Sequence, residues 1–379
     1  MRPSFYIQLT WRILANEVRR RSGLAAVPYK VVWNSTYSCN SRCKTCNVWQ
    51  IYRGSGGSRK DEMGRAEVGR AVGSLGKHLL WLAVTGGEPT LKRDIASTVN
   101  DIYDACPRLG LITVNTNAIL PKHTVRVFEA IASHCRRAEA HAVLSLDGVG
   151  KGHDDIRGIP GNFEAVVESR CRLMELKKRC PNLRVGFEST VSRHNLEYIP
   201  ELLKFCLAQG DEYFLTFAQE AELYRNRGYG YDVTTSALLP QVIDGLIERY
   251  SLRRPRDLLQ WSHMRLMRYF VDEGRAPVPC TAGSSTVTVS PTGEVLGCLF
   301  LNNSMGNAKA HGYDLMRLLH TERARTVQRA CSGCNQCWTN CESFPSMMSS
   351  PLKTLARILS CARKVLLAER VRRHASCGF

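Results

Sequence analysis

The sequence predicts an α/β fold, in which a partial (β/α)6 TIM-like barrel is followed by a small C-terminal cysteine-rich domain. Three observations predict it. Six apolar, β-branched runs alternate with segments of helical period, the composition of the chain changes near residue 280, and nine of the 16 cysteines fall into two groups, one near residue 40 and one after residue 279. Alternating strands and helices indicate a parallel sheet with crossover helices. Six such units are too few for an ordinary eight-fold barrel.

The predicted strands are apolar runs bounded by turn residues, and the predicted helices lie between them. The strands cover 29–37, 81–89, 111–117, 140–148, 183–191 and 213–218, and the helices cover 65–77, 92–105, 122–134, 162–179 and 196–209. In parallel α/β folds the functional groups gather at the carboxyl ends of the strands. We therefore expect the site in the loops that follow these strands.

The rest of the chain divides into four further segments. Residues 1–28 predict a basic amphipathic lead helix before the barrel, which covers 29–218, and residues 219–279 predict a helical connector. Residues 280–345 form the predicted cysteine-rich domain, with a β-hairpin in 285–300 that turns at Pro-Thr-Gly. Residues 346–379 predict a second basic amphipathic helix. These segments give the expected domain organisation.

Composition excludes several classes of protein. The 379 residues are 44% hydrophobic and 23% charged, which is ordinary for a globular chain and excludes wholesale disorder and fibrous repeats. No stretch approaches the roughly 18 apolar residues of a membrane span. The first residues do not have the pattern of a signal peptide. We expect a cytoplasmic protein, with the inner face of the membrane as the alternative location.

The net charge of +18 is concentrated at the two ends, which hold +11 of it. This distribution argues against a nucleic-acid cleft through the middle of the chain. Basic amphipathic helices can lie on an anionic membrane surface. The alternative is that each helix packs on the barrel and exposes a basic face to water.

The first cysteine group is Cys39, Cys43 and Cys46, in the loop that follows the first strand. Soft thiolate ligands select iron–sulfur clusters or zinc. A structural zinc site usually has four protein ligands in two separated pairs. Three thiolates can instead hold three irons of a cubane and leave the fourth iron open. The alternative is a zinc knuckle completed by a distant cysteine.

The sequence around these cysteines resembles the radical S-adenosylmethionine (radical SAM) superfamily, over about residues 29–345. The matching segments follow the family's order: the three cysteines, Gly86-Gly87-Glu88-Pro89, Thr116-Asn117, Ser145-Leu146-Asp147-Gly148, His153 to Gly158, Gly161-Asn162-Phe163, and Glu188 to Val191 with Asn195. Two positions depart from the pattern. Ala118 replaces a glycine, and Thr45 replaces an aromatic residue that stacks near adenine, so we expect adenine contacts from Val48 or Trp49.

The resemblance implies a set of S-adenosylmethionine-binding residues: Gly86, Gly87, Glu88, Pro89, Asn117, Ser145, Asp147 and Arg157. Glu88 would accept hydrogen bonds from the methionyl ammonium, and the two glycines would let the backbone approach the ligand. Asn117 and Ser145 could reach ribose hydroxyls. Arg157 could bind the methionyl carboxylate. The alternative for Arg157 is a surface ion pair with Asp154 or Asp155.

The second cysteine group resembles the SPASM/twitch extension of the same superfamily. Its members are Cys280, Cys298, Cys331, Cys334, Cys337 and Cys341. The resemblance implies one auxiliary 4Fe–4S cluster. A second cluster is left open, because Cys337 interrupts the usual spacing. Cys361 could join a second cluster or could simply be packed in a helix. The spacing also suits zinc.

The resemblance thus implies a radical SAM enzyme that cleaves S-adenosylmethionine reductively to a 5′-deoxyadenosyl radical. That radical would take hydrogen from an unactivated C–H bond of a lipid or lipid-linked, peptide or sugar-like substrate. The implied partner is a flavodoxin- or ferredoxin-like electron donor. No residue marks a catalytic acid or base. The alternative is a non-enzymatic zinc or iron–sulfur protein that interacts with nucleic acid.

Overall fold

The computed structural model describes residues 3–53, 58–209, 212–230, 233–248, 250 and 255–360. The chain forms two compact units. The first contains the chain up to Val233 together with Ala282–Cys331, and the second contains Thr234–Thr281 together with the residues from Ser332 onward.

The first unit is built on a nine-stranded sheet. Its strands are β1 Lys30–Asn34, β2 Trp81–Thr85, β3 Leu111–Thr116, β4 Glu139–Ser145, β5 Leu183–Val191, β6 Glu212–Phe217, β7 Thr286–Val289, β8 Glu294–Leu296 and β9 Ser304–Asn307. Their order is β6-β5-β4-β3-β2-β1-β7-β8-β9, with β1 to β7 parallel and β8 and β9 antiparallel. The predicted six-stranded parallel core is confirmed.

Helices connect the parallel strands as expected. They are α2 Arg65–Gly73, α3 Ile95–Ala105, α4 Pro121–His134, α5 Lys151–Arg157, α6 Asn162–Arg179 and α7 Ile199–Ala208, whereas α1 Pro3–Arg21 precedes β1. On β2, Leu82 and Val84 are fully buried, whereas the alternating residues are half-buried. Apolar helices cover the buried face of the sheet, so the half-buried side chains lie on the inner face of the open barrel.

The predicted hairpin is present, but it belongs to the barrel sheet. β7 and β8 pair antiparallel, and Gly293 in the turn has φ of +90°. Unexpectedly, β7 also pairs in parallel with β1, with Lys30 opposite Thr286 and Trp33 opposite Val289. Residues 282–331 therefore fall in the same unit as the barrel, whereas the sequence predicted a separate domain from residue 280.

Short helices complete the first unit: α10 Leu315–Leu319 and α11 Glu322–Ser332, which ends at the boundary of the units. The second unit contains α8 Leu238–Ile247, α9 Pro255–Glu273 and α12 Ser343–Ser349. In it, the His263 ring stacks on Phe344 with centroids 4.4 Å apart and hydrogen-bonds Ser343. Burial lowers the pKa of His263 to about 3, so the imidazole is neutral.

The predicted C-terminal helix is described only in part. Residues 351–360 are helical, and Leu352, Leu355 and Leu359 are exposed. Residues 361–379, including Cys361, lie outside the described residues. Within the described ranges, no helix is both long enough and apolar enough to cross a membrane.

Candidate functional site

The loop after β1 holds Cys39, Cys43 and Cys46 in a set of directed contacts. The Ser41 N–H donates to Cys39 Sγ at 3.4 Å, and Arg157 Nη1 donates to Cys43 Sγ at 3.8 Å. Burial, reinforced by the other thiols of the loop, raises the pKa of Cys39 and Cys46 to about 12. The three sulfurs are therefore close enough to influence one another.

The three sulfurs nevertheless do not converge on one point. Among the described residues, no three Cys, His, Asp or Glu side chains are placed to hold a single metal ion. One zinc ion would need thiolates about 2.3 Å from a common centre. An iron–sulfur cubane binds each thiolate on a different iron. Three neighbouring thiols are the donor set that such a cluster takes.

The loop after β2, which contains Gly86 and Gly87, contacts the loop after β1 that holds the three cysteines, here called the cysteine loop. These backbone contacts are called the glycine clasp. Gly87 N–H donates to Thr36 O at 2.6 Å, and Glu88 N–H donates to Ser38 O at 2.7 Å. A Cβ on Gly86 would lie 2.6 Å from Thr36 O, and a Cβ on Gly87 would lie 2.2 Å from Ser38 O. Real Cβ atoms cannot approach that closely. The two glycines thus allow β2's loop to touch the cysteine loop.

Glu88 is buried at the centre of this clasp. Its Oε1 accepts hydrogen bonds from the Thr90 N–H, the Thr90 hydroxyl and the Thr116 hydroxyl, and its Oε2 accepts from the Asn117 N–H. Burial raises the pKa of Glu88, and these hydrogen bonds oppose that increase. A carboxylate has about four lone-pair sites, so Oε2 retains capacity for another donor. Pro89 begins the short turn Pro89–Leu91 that follows.

Asn117 connects the end of β3 to the cysteine loop. Its Nδ2 donates to Asn40 Oδ1 at 2.8 Å and to Ser41 Oγ at 2.9 Å. The next residue, Ala118, has φ of +52°. The family's glycine at this position is explained by that left-handed backbone, which glycine adopts without strain.

Arg157 pairs with Asp147, inside the protein. Arg157 Nε lies 2.7 Å from Asp147 Oδ2, and the exposed fractions of the two side chains are 12% and 2%. Burial lowers the pKa of Arg157, but Asp147 and Cys43 outweigh it and the pKa is raised. The alternative of a surface ion pair with Asp154 or Asp155 is wrong. Asp154 instead accepts from the Gly161 and Phe163 N–H groups.

The segment between β4 and α6 holds this ion pair in place. His153 Nδ1 accepts from the Asp147 N–H at 3.0 Å, and its Nε2 lies 3.1 Å from Asn162 Oδ1. Asn195 Nδ2 donates to Asp147 O at 3.1 Å. Burial lowers the pKa of His153 to about 4. The neutral ring therefore accepts at Nδ1 and donates at Nε2.

Polar side chains also line the inner face near the carboxyl ends of β3 to β5. Ser145 ends β4 and stands opposite Glu188 in the register. Asn115 Nδ2 donates to Glu188 Oε2. The sequence analysis did not single out Asn115, although its position on β3, two residues before Asn117, could have indicated the inner face.

The expected adenine-side residues lie directly after Cys46. Val48 and Trp49 fall in the short helical turn Val48–Gln50, where Val48 is buried. The Trp49 indole Nε1 is buried and has no hydrogen-bond partner within the described part of the chain. The Arg53 guanidinium lies 5.0 Å from the centre of the Trp49 ring. The Trp49 Nε1 therefore remains able to donate a hydrogen bond.

The cysteines of the second group are distributed over both compact units. Cys298 and Cys331 belong to the first unit, where the Cys298 N–H donates to Asn303 Oδ1 and Asn303 Nδ2 donates to Cys331 Sγ at 3.1 Å. The second unit contains Cys280, Cys334, Cys337 and Cys341. Thr339 Oγ1 lies 3.0 Å from Cys341 Sγ. Their joint ligation of a cluster stays a prediction.

The chain is similar in sequence to proteins named as AdoMet-dependent heme synthases and as a pre-heme d1 synthase. No family model matches the chain. The pre-heme d1 synthase of Dinoroseobacter shibae is 26% identical over 200 residues, which are 52% of this chain and 44% of that protein. The chain thus spans less than half of that relative. The AdoMet-dependent heme synthase of Nitratidesulfovibrio vulgaris is 23% identical over 327 residues, covering 81% of this chain and 84% of that one.

Solved structures show the same fold. Native anSMEcpe with bound AdoMet aligns with a TM-score of 0.57 at 16% identity, over 89% of this chain and 100% of that one. Its complex with AdoMet and the Cp18Cys peptide aligns with a TM-score of 0.53 at 17% identity, over 89% and 99%. The cysteine loop and its glycine clasp thus lie in a fold that this chain shares with anSMEcpe, and the chain is similar in sequence to AdoMet-dependent heme synthases.

Proposed function

We propose that the protein is an enzyme that cleaves S-adenosylmethionine reductively and uses the resulting 5′-deoxyadenosyl radical to take hydrogen from an unactivated C–H bond. One observation carries the proposal. Three neighbouring thiols lie at the carboxyl end of a parallel sheet, held by the glycine clasp, by Asn117 and by the Arg157–Asp147 pair. When bound to Cys39, Cys43 and Cys46, a 4Fe–4S cluster supplies the electron for the cleavage.

The chain's own residues bind and orient the other reactant. Glu88 Oε2 keeps a lone pair that could accept from the methionyl ammonium, in addition to its hydrogen bond from Asn117. Arg157 keeps its guanidinium charged beside Cys43, because Asp147 compensates its burial. Ser145 is a further polar group at the same ends of the strands. We propose Gly86, Gly87 and Pro89 as residues that shape this pocket rather than as groups that react.

We further propose an auxiliary 4Fe–4S cluster on cysteines of the second group, for electron transfer from the substrate radical or for substrate binding. The Asn303 side chain supports this for the first unit, since it already donates to Cys331 Sγ. A hydrogen-bond donor to a cysteine sulfur is a usual feature around iron–sulfur clusters. The proposed electron donor is a flavodoxin- or ferredoxin-like protein.

The substrate to be tried first is a heme-type tetrapyrrole. The sequence relatives that support this choice are named as AdoMet-dependent heme synthases and a pre-heme d1 synthase. Peptides are the substrates to be tried next, since the solved anSMEcpe complex contains a peptide. Lipid-linked and sugar-like compounds come after them. For all of these candidates the hydrogen atom leaves the substrate carbon and forms 5′-deoxyadenosine.

The test is formation of 5′-deoxyadenosine after anaerobic reconstitution with iron and sulfide and reduction by dithionite. We expect wild type and Cys171→Ala to form it, and Cys43→Ala to form none. Cys171 is a matched control because it is an exposed cysteine on α6, outside the cysteine loop. Intact S-adenosylmethionine in the wild-type reaction, with zinc bound instead of iron, would favour the binding-protein alternative.

A further inference from the structure

The lead helix α1 exposes a continuous apolar stripe. Ile7, Trp11, Leu14 and Val18 have exposed fractions of 60%, 69%, 52% and 64%. Their spacing of four, three and four residues places them on one face of the helix. Single exposed apolar residues are ordinary on protein surfaces, but an aligned set of four large ones, one of them tryptophan, indicates a contact surface.

The opposite face of α1 is fixed to the barrel, so the stripe stays on the outside. Phe5 and Leu9 are buried, and a Cβ on Gly110 would lie 2.6 Å from the Phe5 ring. Asn16 Nδ2 donates to Val27 O at 2.9 Å and to Ser284 O at 3.2 Å. These contacts determine the rotation of the helix about its axis, and they leave the stripe facing away from the sheet.

A cavity of about 770 Å³ opens beside α1, at the amino ends of the strands. Phe5 and Gln8 of the helix line it, together with the segments that precede β3, β4 and β5. It is therefore at the opposite end of the barrel from the cysteine loop, which follows β1. The charged residues of its lining are five arginines and one glutamate: Arg108, Arg136, Arg137, Arg179, Arg184 and Glu139.

The lining of the cavity has more arginines than carboxylates, and two of the arginines lie near a carboxylate. Arg184 lies 3.4 Å from Glu139, and Arg179 lies 2.8 Å from Glu129. Arg137 instead stacks on the ring of Tyr103, 4.2 Å from its centre. Arg108 forms no salt bridge with a described carboxylate. Burial is the main cause that lowers the pKa of His78 to about 4, and the charges of Arg12, Lys77 and Arg108 lower it in the same direction.

We propose that this face docks on an anionic phospholipid bilayer, with the stripe of α1 in the interface and a lipid phosphate in the arginine cavity. An apolar helical stripe with tryptophan and adjacent guanidinium groups is the combination that interfacial helices use. A small soluble anion would account for the cavity but not for the stripe. A second copy of the chain would bring two arginine cavities together, which like charges disfavour.

The test is sedimentation of the reconstituted full chain with vesicles of phosphatidylglycerol and phosphatidylcholine, compared with pure phosphatidylcholine. We expect binding to the anionic vesicles alone. Arg108→Gln with Arg137→Gln should weaken it about 30-fold, since each basic residue near an anionic surface contributes about fivefold. Trp11→Ser with Leu14→Ser should weaken it by about tenfold or more. All four side chains are exposed, so the variants should keep the wild-type melting temperature.

The matched controls are Lys122→Gln with Arg126→Gln, two exposed basic residues on α4, and Tyr198→Ala, whose exposed fraction is 52%. Both should bind vesicles as wild type does. Equal binding of all variants, or equal binding to neutral vesicles, would overturn the proposal. So would tight binding of inorganic phosphate without vesicle binding, which would indicate a soluble anion. A dimer that the Trp11/Leu14 variant dissociates, again without vesicle binding, would indicate a self-interface.

Discussion

Replacing Gly87 with alanine tests the clasp between the loops of β2 and β1. The new methyl group would lie 2.2 Å from Ser38 O and 2.6 Å from Ser38 C. These are backbone atoms, so no side-chain rotation can relieve the overlap. Ordinary contact of a Cβ atom begins at 3.4 Å, so the cysteine loop must move by about 1 Å. Ser38 directly precedes Cys39, and the displacement therefore reaches the first thiol.

Two effects follow from that displacement. Overpacking of this kind costs about 2 kcal/mol of folding free energy, which lowers the melting temperature by about 4 °C in a unit of this size. A misplacement of about 1 Å in a reacting geometry reduces the rate by about 100-fold. We therefore expect Gly87→Ala to lose most 5′-deoxyadenosine formation while it remains folded at room temperature.

Gly152→Ala is the matched control. Gly152 lies in α5, and a Cβ there meets no atom within 4 Å. Alanine is favoured over glycine inside a helix, so this variant should be as stable as wild type and fully active. The assay is 5′-deoxyadenosine per iron bound, measured beside a thermal melt. If Gly87→Ala has wild-type activity and wild-type melting, the clasp does not position the cysteine loop.

Two further predictions concern the segment around Arg157. Asp147→Asn leaves the buried Arg157 charge without its carboxylate, so the free energy of unfolding should fall by about 3 kcal/mol. The control is Asp155→Asn at an exposed position, which should not change the stability. Equal melting temperatures of the two variants would contradict the buried ion pair. His153 has a folded pKa of about 4 against an ordinary 6.5, so the unfolded chain binds more protons between these values. The neutral His153 ring therefore contributes about 3 kcal/mol to the free energy of unfolding above pH 6.5, and this contribution is lost as the pH falls toward 4. His153→Gln should flatten that part of the stability–pH curve, and an unchanged slope would refute the assignment.

The sequence predicted local elements and motif positions well, because periodicity and turn residues are local properties. The six barrel strands and the hairpin around Gly293 appear where the patterns placed them. The parallel pairing of β7 with β1 was not predictable, since it joins Lys30 to Thr286 across most of the chain. Such pairing depends on tertiary packing and not on either segment alone.

At the site, too, the sequence predicted which motif residues matter but not which residues they contact. The motifs identified Arg157 as important, but its proximity in sequence suggested Asp154 or Asp155 as its partner. The fold instead brings the β4 loop over α5 and gives it Asp147. The glycines of the second motif were expected to make room for a ligand. The structure shows that they make room for residues 36–38, a contact between loops that no single-sequence pattern encodes.

Electron paramagnetic resonance of the reconstituted, dithionite-reduced protein, recorded with and without S-adenosylmethionine, tests whether Cys39, Cys43 and Cys46 hold a cluster that binds S-adenosylmethionine. We expect a reduced-cluster signal that changes when S-adenosylmethionine is added, in wild type and in Cys171→Ala. In Cys43→Ala the responsive part of the signal should be absent. A signal that ignores S-adenosylmethionine, or that survives unchanged in Cys43→Ala, would contradict the assignment of Cys39, Cys43 and Cys46 as the cluster ligands at the site.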